Sequence, residues 1–183
     1  MQAPGSEVTV EITRSSPLTS FVSPVLSLPA WGVTQGHGSF LTFDFGVPQL
    51  VVNEYNSVKR GLKTSAQERG DWHLWIYCCH WCIRLDGMQL AWSEDTRELI
   101  GGISSRLNGL KLMEVTVDPE HGTSTFAFES GFTVETWPYD DEPEFEQWMF
   151  FSRTDVFTYR ADGAYTFGPG NTPEEAVEWL PLR

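Results

Sequence analysis

Two Asp-Gly pairs constrain this chain more than any other feature. "RLDG" at 84–87 leads into "MQLAW", and "RADG" at 160–163 leads into "AYTF". Asp-Gly between two segments of alternating polarity supplies the positive backbone angles of a tight hairpin turn, so each pair predicts two antiparallel strands. Both hairpins belong to a longer correspondence. With Trp72 placed over Trp148 and no gaps, Arg84 falls on Arg160, Asp86 on Asp162, Gly87 on Gly163, Thr96 on Thr172 and Glu98 on Glu174. Trp75 then lies over Phe151 and Trp81 over Phe157, so rings recur where one face of a strand would carry them. Upstream, "HGSFLTFDFG" at 37–46 resembles "HGTSTFAFESG" at 121–131 once one residue is inserted.

The pattern reads as an internal duplication. Each unit opens with an apolar segment ("PVLSL" or "MEVTV") and an alternating strand ending at Gly46 or Gly131. A further strand ("QLVVNEY" or "TVETWPY"), a polar loop, a long aromatic strand from Trp72 or Trp148 and the Asp-Gly hairpin follow. A helix closes each unit: "SEDTRELIGGISSRLNG" puts Leu99, Ile100, Ile103 and Leu107 on one face, and "GNTPEEAVEWL" has Thr172 ahead of a first-turn Pro173. Asn108-Gly109 is a helix stop and the boundary between units. The expected fold class is therefore α+β, mainly antiparallel β, with two similar β-meander units, 1–109 and 110–183, each followed by a helix and packed as one compact domain.

A chain of 183 residues is long enough to bury a substantial core. Its start lacks a basic stretch followed by an apolar run, and no segment approaches the roughly 20 apolar residues that span a bilayer. A cytoplasmic, non-membrane protein is expected. A net charge of −13 argues against nucleic acid, whose phosphates need a basic surface. The acidity is uneven: residues 1–110 carry ten acids against eight bases, residues 111–183 fifteen against four.

All three cysteines lie in "YCCHWC" at 77–82. On a continuous strand Cys78, His80 and Cys82 share one face, about 6.6–6.8 Å between successive members, which is too extended for one tetrahedral zinc. Vicinal Cys78 and Cys79 do not suit an unstrained disulfide, and the matched positions of the second unit are Thr154, Asp155, Val156 and Thr158. Buried, strand-compatible filler is the expectation, with neither metal nor cofactor. His37 and His121 each precede a glycine at a strand entrance and read as turn residues. No phosphate loop, nucleophile elbow or zinc-protease pair is present, and the protein reads as non-enzymatic.

Two surfaces are candidates for binding. "YDDEPEFE" places Asp140, Asp141, Glu142, Glu144 and Glu146 in one proline-containing loop; the counterpart in the first unit carries Lys59, Arg60, Lys63 and Arg69. Such opposition suits either pairing between molecules or a basic protein partner, and exposed hairpin loops also vary freely in charge. The alternative is a small-molecule pocket between the units, lined by Trp75, Tyr77 and Trp81.

The stretches "GSFLTFDFG", "DWHLWIYCCHW" and "RADGAYTFGPGNTPEE" resemble those of small uncharacterised bacterial proteins of a domain-of-unknown-function type, over most of the chain from about residue 16. The acidic, aromatic, β-rich style is similar to that of bacterial immunity proteins, which cover toxin domains. The resemblance transfers no site residue; it implies a non-enzymatic binding protein using an acidic surface against a basic partner. Oligomeric state is left open.

Overall fold

The computed structural model describes residues 16–57, 61–139 and 142–182. Its elements run α1 (Pro17–Val22), β1 (Ala30–Gln35), β2 (Leu41–Phe45), β3 (Gln49–Ser57), β4 (Gly61–Arg69), β5 (Trp72–Ile76), β6 (His80–Leu85), β7 (Met88–Trp92) and α2 (Arg97–Ser104). They continue with β8 (Leu112–Asp118), β9 (Thr123–Phe128), β10 (Phe132–Trp137), β11 (Glu146–Phe151), β12 (Asp155–Arg160), β13 (Ala164–Pro169) and β14 (Leu180–Pro181). All named pairings are antiparallel, so the expected mainly antiparallel β class with a few helices holds.

Two sheets pack face to face. One has seven strands in the order β1-β2-β5-β11-β12-β13-β14, and the other has five, β7-β6-β10-β9-β8. Each sheet draws strands from both sides of residue 109. Inward residues alternate along the strands as a half-buried sheet requires. Leu41, Phe43, Phe45, Leu74, Ile76, Trp148, Phe150, Phe157 and Tyr159 meet Trp81, Ile83, Phe126, Phe128 and Val134 in one core. Trp148 lies at its centre, its ring 5.7 Å from Phe157, 5.3 Å from Tyr159 and 5.5 Å, edge-on, from Phe126. The space between the sheets is thus filled by side chains. Helix α1 closes one end, with Phe21 at 5.3 Å from Trp72 and 5.7 Å from Phe157; α2 buries Ile100.

The first Asp-Gly turn forms as expected, with Asp86 and Gly87 at φ +49° and +79° between paired Leu85 and Met88. In the second only Gly163 takes positive φ (+76°), and the loop is one residue longer. Thr96 caps α2 by accepting the Leu99 N–H, and Gly109 has φ +89° just after the helical segment.

The apolar "PVLSL" segment forms turns after α1, a short helix started by Ser16, which accepts the Thr19 N–H, and by Pro17 at the first helical position. Three local expectations change. The segment expected as a polar loop before Trp72 pairs into the β3–β4 ribbon. The second closing helix is only a single 3-10 turn at Glu174–Ala176, leading to the edge strand β14. There Thr172 Oγ1 donates back to the Pro169 carbonyl instead of capping, and Trp179 packs over the Arg160 guanidinium at 4.5 Å. Finally, β5 and β11, which carry Trp72 and Trp148, are direct neighbours with Leu74 opposite Phe150, but β5 is flanked by β2 and β11 by β12.

The ribbon leaves the body at two glycines. Gly46 has φ +81°, and a Cβ on Gly70 would lie 2.2 Å from the Phe45 carbonyl oxygen, so the two ends of the ribbon can close against β2 only with glycine there. This places β3 and β4 beside the outer face of the larger sheet.

Candidate functional site

The cysteine strand resolves into three different environments. Cys78 precedes β6 with φ +26°, which breaks the expected shared face with His80 and Cys82. Cys79 is buried in the core, and Cys82 sits on the outer face of the smaller sheet beneath Glu135 and Arg84. Burial raises all three thiols above their ordinary range, Cys82 to about 11, so they are protonated near neutrality and poor nucleophiles. His80 stacks between Trp92 (6.3 Å) and Trp137 (5.7 Å). No group of three metal-ligating side chains converges among the described residues.

The pocket of Trp75, Tyr77 and Trp81 does not form. Trp81 is fully buried in the core, its indole N–H donating to the Ser39 carbonyl at 2.7 Å. Trp75 and Tyr77 stack on each other at 4.8 Å on the opposite, outer face, beside Phe40. The turn through Cys78 separates them: β5 lies before it in the larger sheet, with Leu74 and Ile76 pointing inward and their neighbours outward, whereas Trp81 follows it on β6 of the smaller sheet and points inward. In the acidic loop Glu142 and Glu144 are exposed, while Glu146 is half-buried and accepts the Tyr77 hydroxyl. Asp140, Asp141, Lys59 and Arg60 lie outside the described residues. His37 lies in the β1–β2 turn and His121 in the β8–β9 turn, where it pairs with Asp118 at 2.8 Å.

The outer face of the larger sheet is where space opens. A groove of about 750 Å³ runs between the ribbon base (Gln49, Val51, Arg69) and the sheet, floored by His73, Trp75 and Phe151 and bordered by Asp71, Ser152 and Arg153. A second groove of about 520 Å³ continues over β11–β13, floored by Met149, Val156, Thr158 and Gly168 and walled by Val177 and Trp179. Phe151 lines both, so the two grooves adjoin at its ring.

Polar groups at the ribbon end are held by long-range partners. Asp44, 3% exposed, accepts the Gly70 N–H (2.9 Å) and His73 Nδ1 (3.2 Å), with the Arg69 guanidinium at 3.5 Å. Burial alone would raise its pKa; the His73 and Gly70 hydrogen bonds, with the charges of His73 and Arg69, outweigh that and hold the carboxyl below its usual range. An ionised carboxylate only accepts, so the His73 proton facing it lies on Nδ1, and a neutral ring keeps Nε2 as an acceptor. Asp71 accepts Arg153 through Nε (3.0 Å) and Nη2 (2.5 Å), Gln49 Nε2 (2.6 Å) and the Val47 N–H (3.1 Å), and the Arg153 bond foremost lowers its pKa. Ser152 is committed as a turn cap: its hydroxyl donates to the Asp155 carbonyl and accepts the Asp155 and Thr154 amides.

Of the residues lining these grooves the sequence points to Trp75 as a pocket residue, Arg69 in the basic segment and Glu146 in the acidic loop, and it gives no signal that they share a surface. Asp44 was visible as an acid inside the apolar "LTFDF" run, but nothing local pairs residue 44 with 73 or 71 with 153. No family model, curated protein or solved structure matches the chain. No helix among the described residues is long and apolar enough to cross a membrane.

Proposed function

We propose that this chain is a binding protein whose working surface is the joined groove on the outer face of the larger sheet. One observation carries the reading: the interior is filled, whereas a row of half-exposed apolar side chains, Trp75, Phe151, Met149 and Val156, is left in a walled depression outside it. Concave, mostly apolar sites with a few placed polar groups are where small ligands bind. Gly168 offers a direct test, since a Cβ there meets nothing closer than Thr172 Oγ1 at 4.0 Å and a larger side chain would fill the groove without a backbone clash. Nile red should bind the wild type saturably with a blue-shifted emission, and Gly168→Phe, unchanged in melting temperature, should weaken it about tenfold, equivalent to about 1.4 kcal/mol. Equal titrations of both proteins reject the groove.

A second reading keeps the acidic loop as a docking edge for a basic protein. What favours it is the exposure of Glu142 and Glu144 beside Phe145, itself 40% exposed. Neutralising them to glutamine should change stability by less than about 0.5 kcal/mol, as for other exposed charges. Association with poly-L-lysine should slow at low salt, where exposed charges are least screened. An unchanged association rate rejects this edge.

We also infer that the halves descend from one duplicated unit. The first sends β1-β2-β5 to the larger sheet and the β6–β7 hairpin to the smaller; the second sends β8-β9-β10 to the smaller and β12–β13 to the larger. His-Gly pairs occupy both first turns and Asp-Gly pairs both last turns. On this mapping β5 corresponds to β10, and β11, with Trp148, is an addition of the second half. Relatives in which the halves align more closely should reproduce that offset; relatives aligning Trp72 with Trp148 instead would reject it.

A further inference from the structure

We propose that the groove takes an amphiphile: an apolar chain ending in a single carboxylate, with the carboxylate at Arg69 and Arg153 and the chain running over Phe151 toward Trp179. The proposal rests on the groove being the binding surface and adds the class and direction of its ligand.

The two ends of the groove differ in chemistry. At the ribbon end two guanidiniums from separate elements, Arg69 of β4 and Arg153 of the β11–β12 turn, border the same cavity. A guanidinium carries five N–H donors in a planar fork suited to carboxylates. Arg153 directs Nε and Nη2 at a single oxygen of Asp71, and Arg69 reaches Asp44 Oδ2 at 3.5 Å and Gln67 Oε1 at 3.2 Å. Both aspartates already have other donors: Asp71 takes the Val47 N–H and the Gln49 amide, and Asp44 takes the Gly70 N–H and His73. An incoming carboxylate can therefore share these guanidiniums without stripping either aspartate of its hydrogen bonds. Arg153 is also 66% exposed at its side chain, which leaves it reachable from the groove.

Beyond Phe151 apolar side chains continue through Met149 and Val156 to Val177 and Trp179, with Thr158 and Thr166 among them. Glu146 and Glu178 line that end, and Arg160, the guanidinium against Trp179, is already paired with Asp162, so a carboxylate is disfavoured there and the ligand takes the opposite direction. A single negative charge fits better than a polyanion, because a chain of net charge −13 repels anions beyond the immediate reach of the two arginines.

Octanoate, 1-octanol and octylammonium make the test, read by the indole N–H signals of Trp75, which lines the guanidinium end, and Trp179, which lines the apolar end. Trp75→Phe and Trp179→Phe assign those two signals. Octanoate should shift both saturably and bind about tenfold more tightly than 1-octanol, the size of one charge-assisted hydrogen bond, and octylammonium should bind weakest. Arg153→Gln should remove the octanoate advantage while leaving 1-octanol unchanged. If octanoate and 1-octanol bind alike, and Arg153→Gln affects neither, the carboxylate assignment is overturned while the groove stands. If no probe moves either indole, both the assignment and the groove are overturned. Octylammonium binding tightest would reverse the direction and overturn the proposal.

Discussion

Trp148→Ala is expected to destabilise the protein by about 3–5 kcal/mol, the cost of truncating a large buried aromatic. The indole is fully buried where Phe126, Phe157 and Tyr159 converge, and its Nε1–H donates to Ser124 Oγ at 2.9 Å. Three losses add: apolar transfer, the cavity, and an acceptor left in a dry interior. The neighbouring rings are held by strands on both sheets, so little collapse is available to refill the space. Trp148→Phe keeps most of the volume and loses chiefly the Ser124 bond, so it should cost about 1–3 kcal/mol. Urea unfolding monitored by far-ultraviolet circular dichroism measures both, and a Trp148→Ala variant within 1 kcal/mol of wild type would contradict this view of the core.

Asp44→Ala should cost about 3 kcal/mol. Removing one partner from a buried charged network leaves the others unpaired; here the Gly70 N–H, His73 and Arg69 lose their acceptor together. The expected cost sits at the low end of the range for buried pairs because the Arg69 side chain is 36% exposed and regains water. The same group predicts a pH dependence. Its folded pKa is lowered, so its contribution is fully present above its ordinary value near 3.9 and is lost as the pH falls through the lower folded value. The wild type should therefore lose stability on acidification below about pH 4, and Asp44→Ala should show a shallower loss over the same interval. Equal slopes for the two proteins would remove Asp44 from the account. Because Gly70 anchors the ribbon beside β2, the variant should also loosen the groove, visible as faster amide exchange at Gly70.

The candidate site was legible only in part. Trp75, Tyr77 and Trp81 read from the sequence as lining a pocket between the units; Trp75 and Tyr77 do lie together, since i and i+2 on a strand must share a face, but that face is the outer one. On one continuous strand Trp81, also at an even spacing, would share that face, but the turn through Cys78, with its positive φ, carries the chain from one sheet to the other between Tyr77 and Trp81. The Asp44–His73 and Asp71–Arg153 pairs had no local signal at all. They join residues far apart in the chain, brought together by β2–β5 and β5–β11 register, and register across non-consecutive strands is not written in any short stretch. The cysteines illustrate the converse: a conspicuous local cluster dissolves into a core thiol, a thiol buried under Glu135 and Arg84 on the other face of the smaller sheet, and a turn residue once the backbone path is known.

By itself the sequence determined the local elements whose cause is local: the Asp-Gly hairpin at 86–87, where the turn residues must tolerate positive φ, the Thr96 cap of α2, and the alternation that makes β9 and β10 strands with one wet face. It failed where tertiary contacts outweighed propensity. Residues 170–180 carry a helix signature, yet Trp179 packs on Arg160 and the following Leu182 is buried against the body, and those contacts hold the segment extended at the edge of the larger sheet. The tertiary structure alone decided that each sheet joins a block of strands from one half to a block from the other, at β5–β11 and at β6–β10, and that inner aromatic faces bury one another. A sandwich whose inner faces are equally apolar gains most by closing completely. The walled surface that remains open is therefore on the outside, where the ribbon and the C-terminal segment border it.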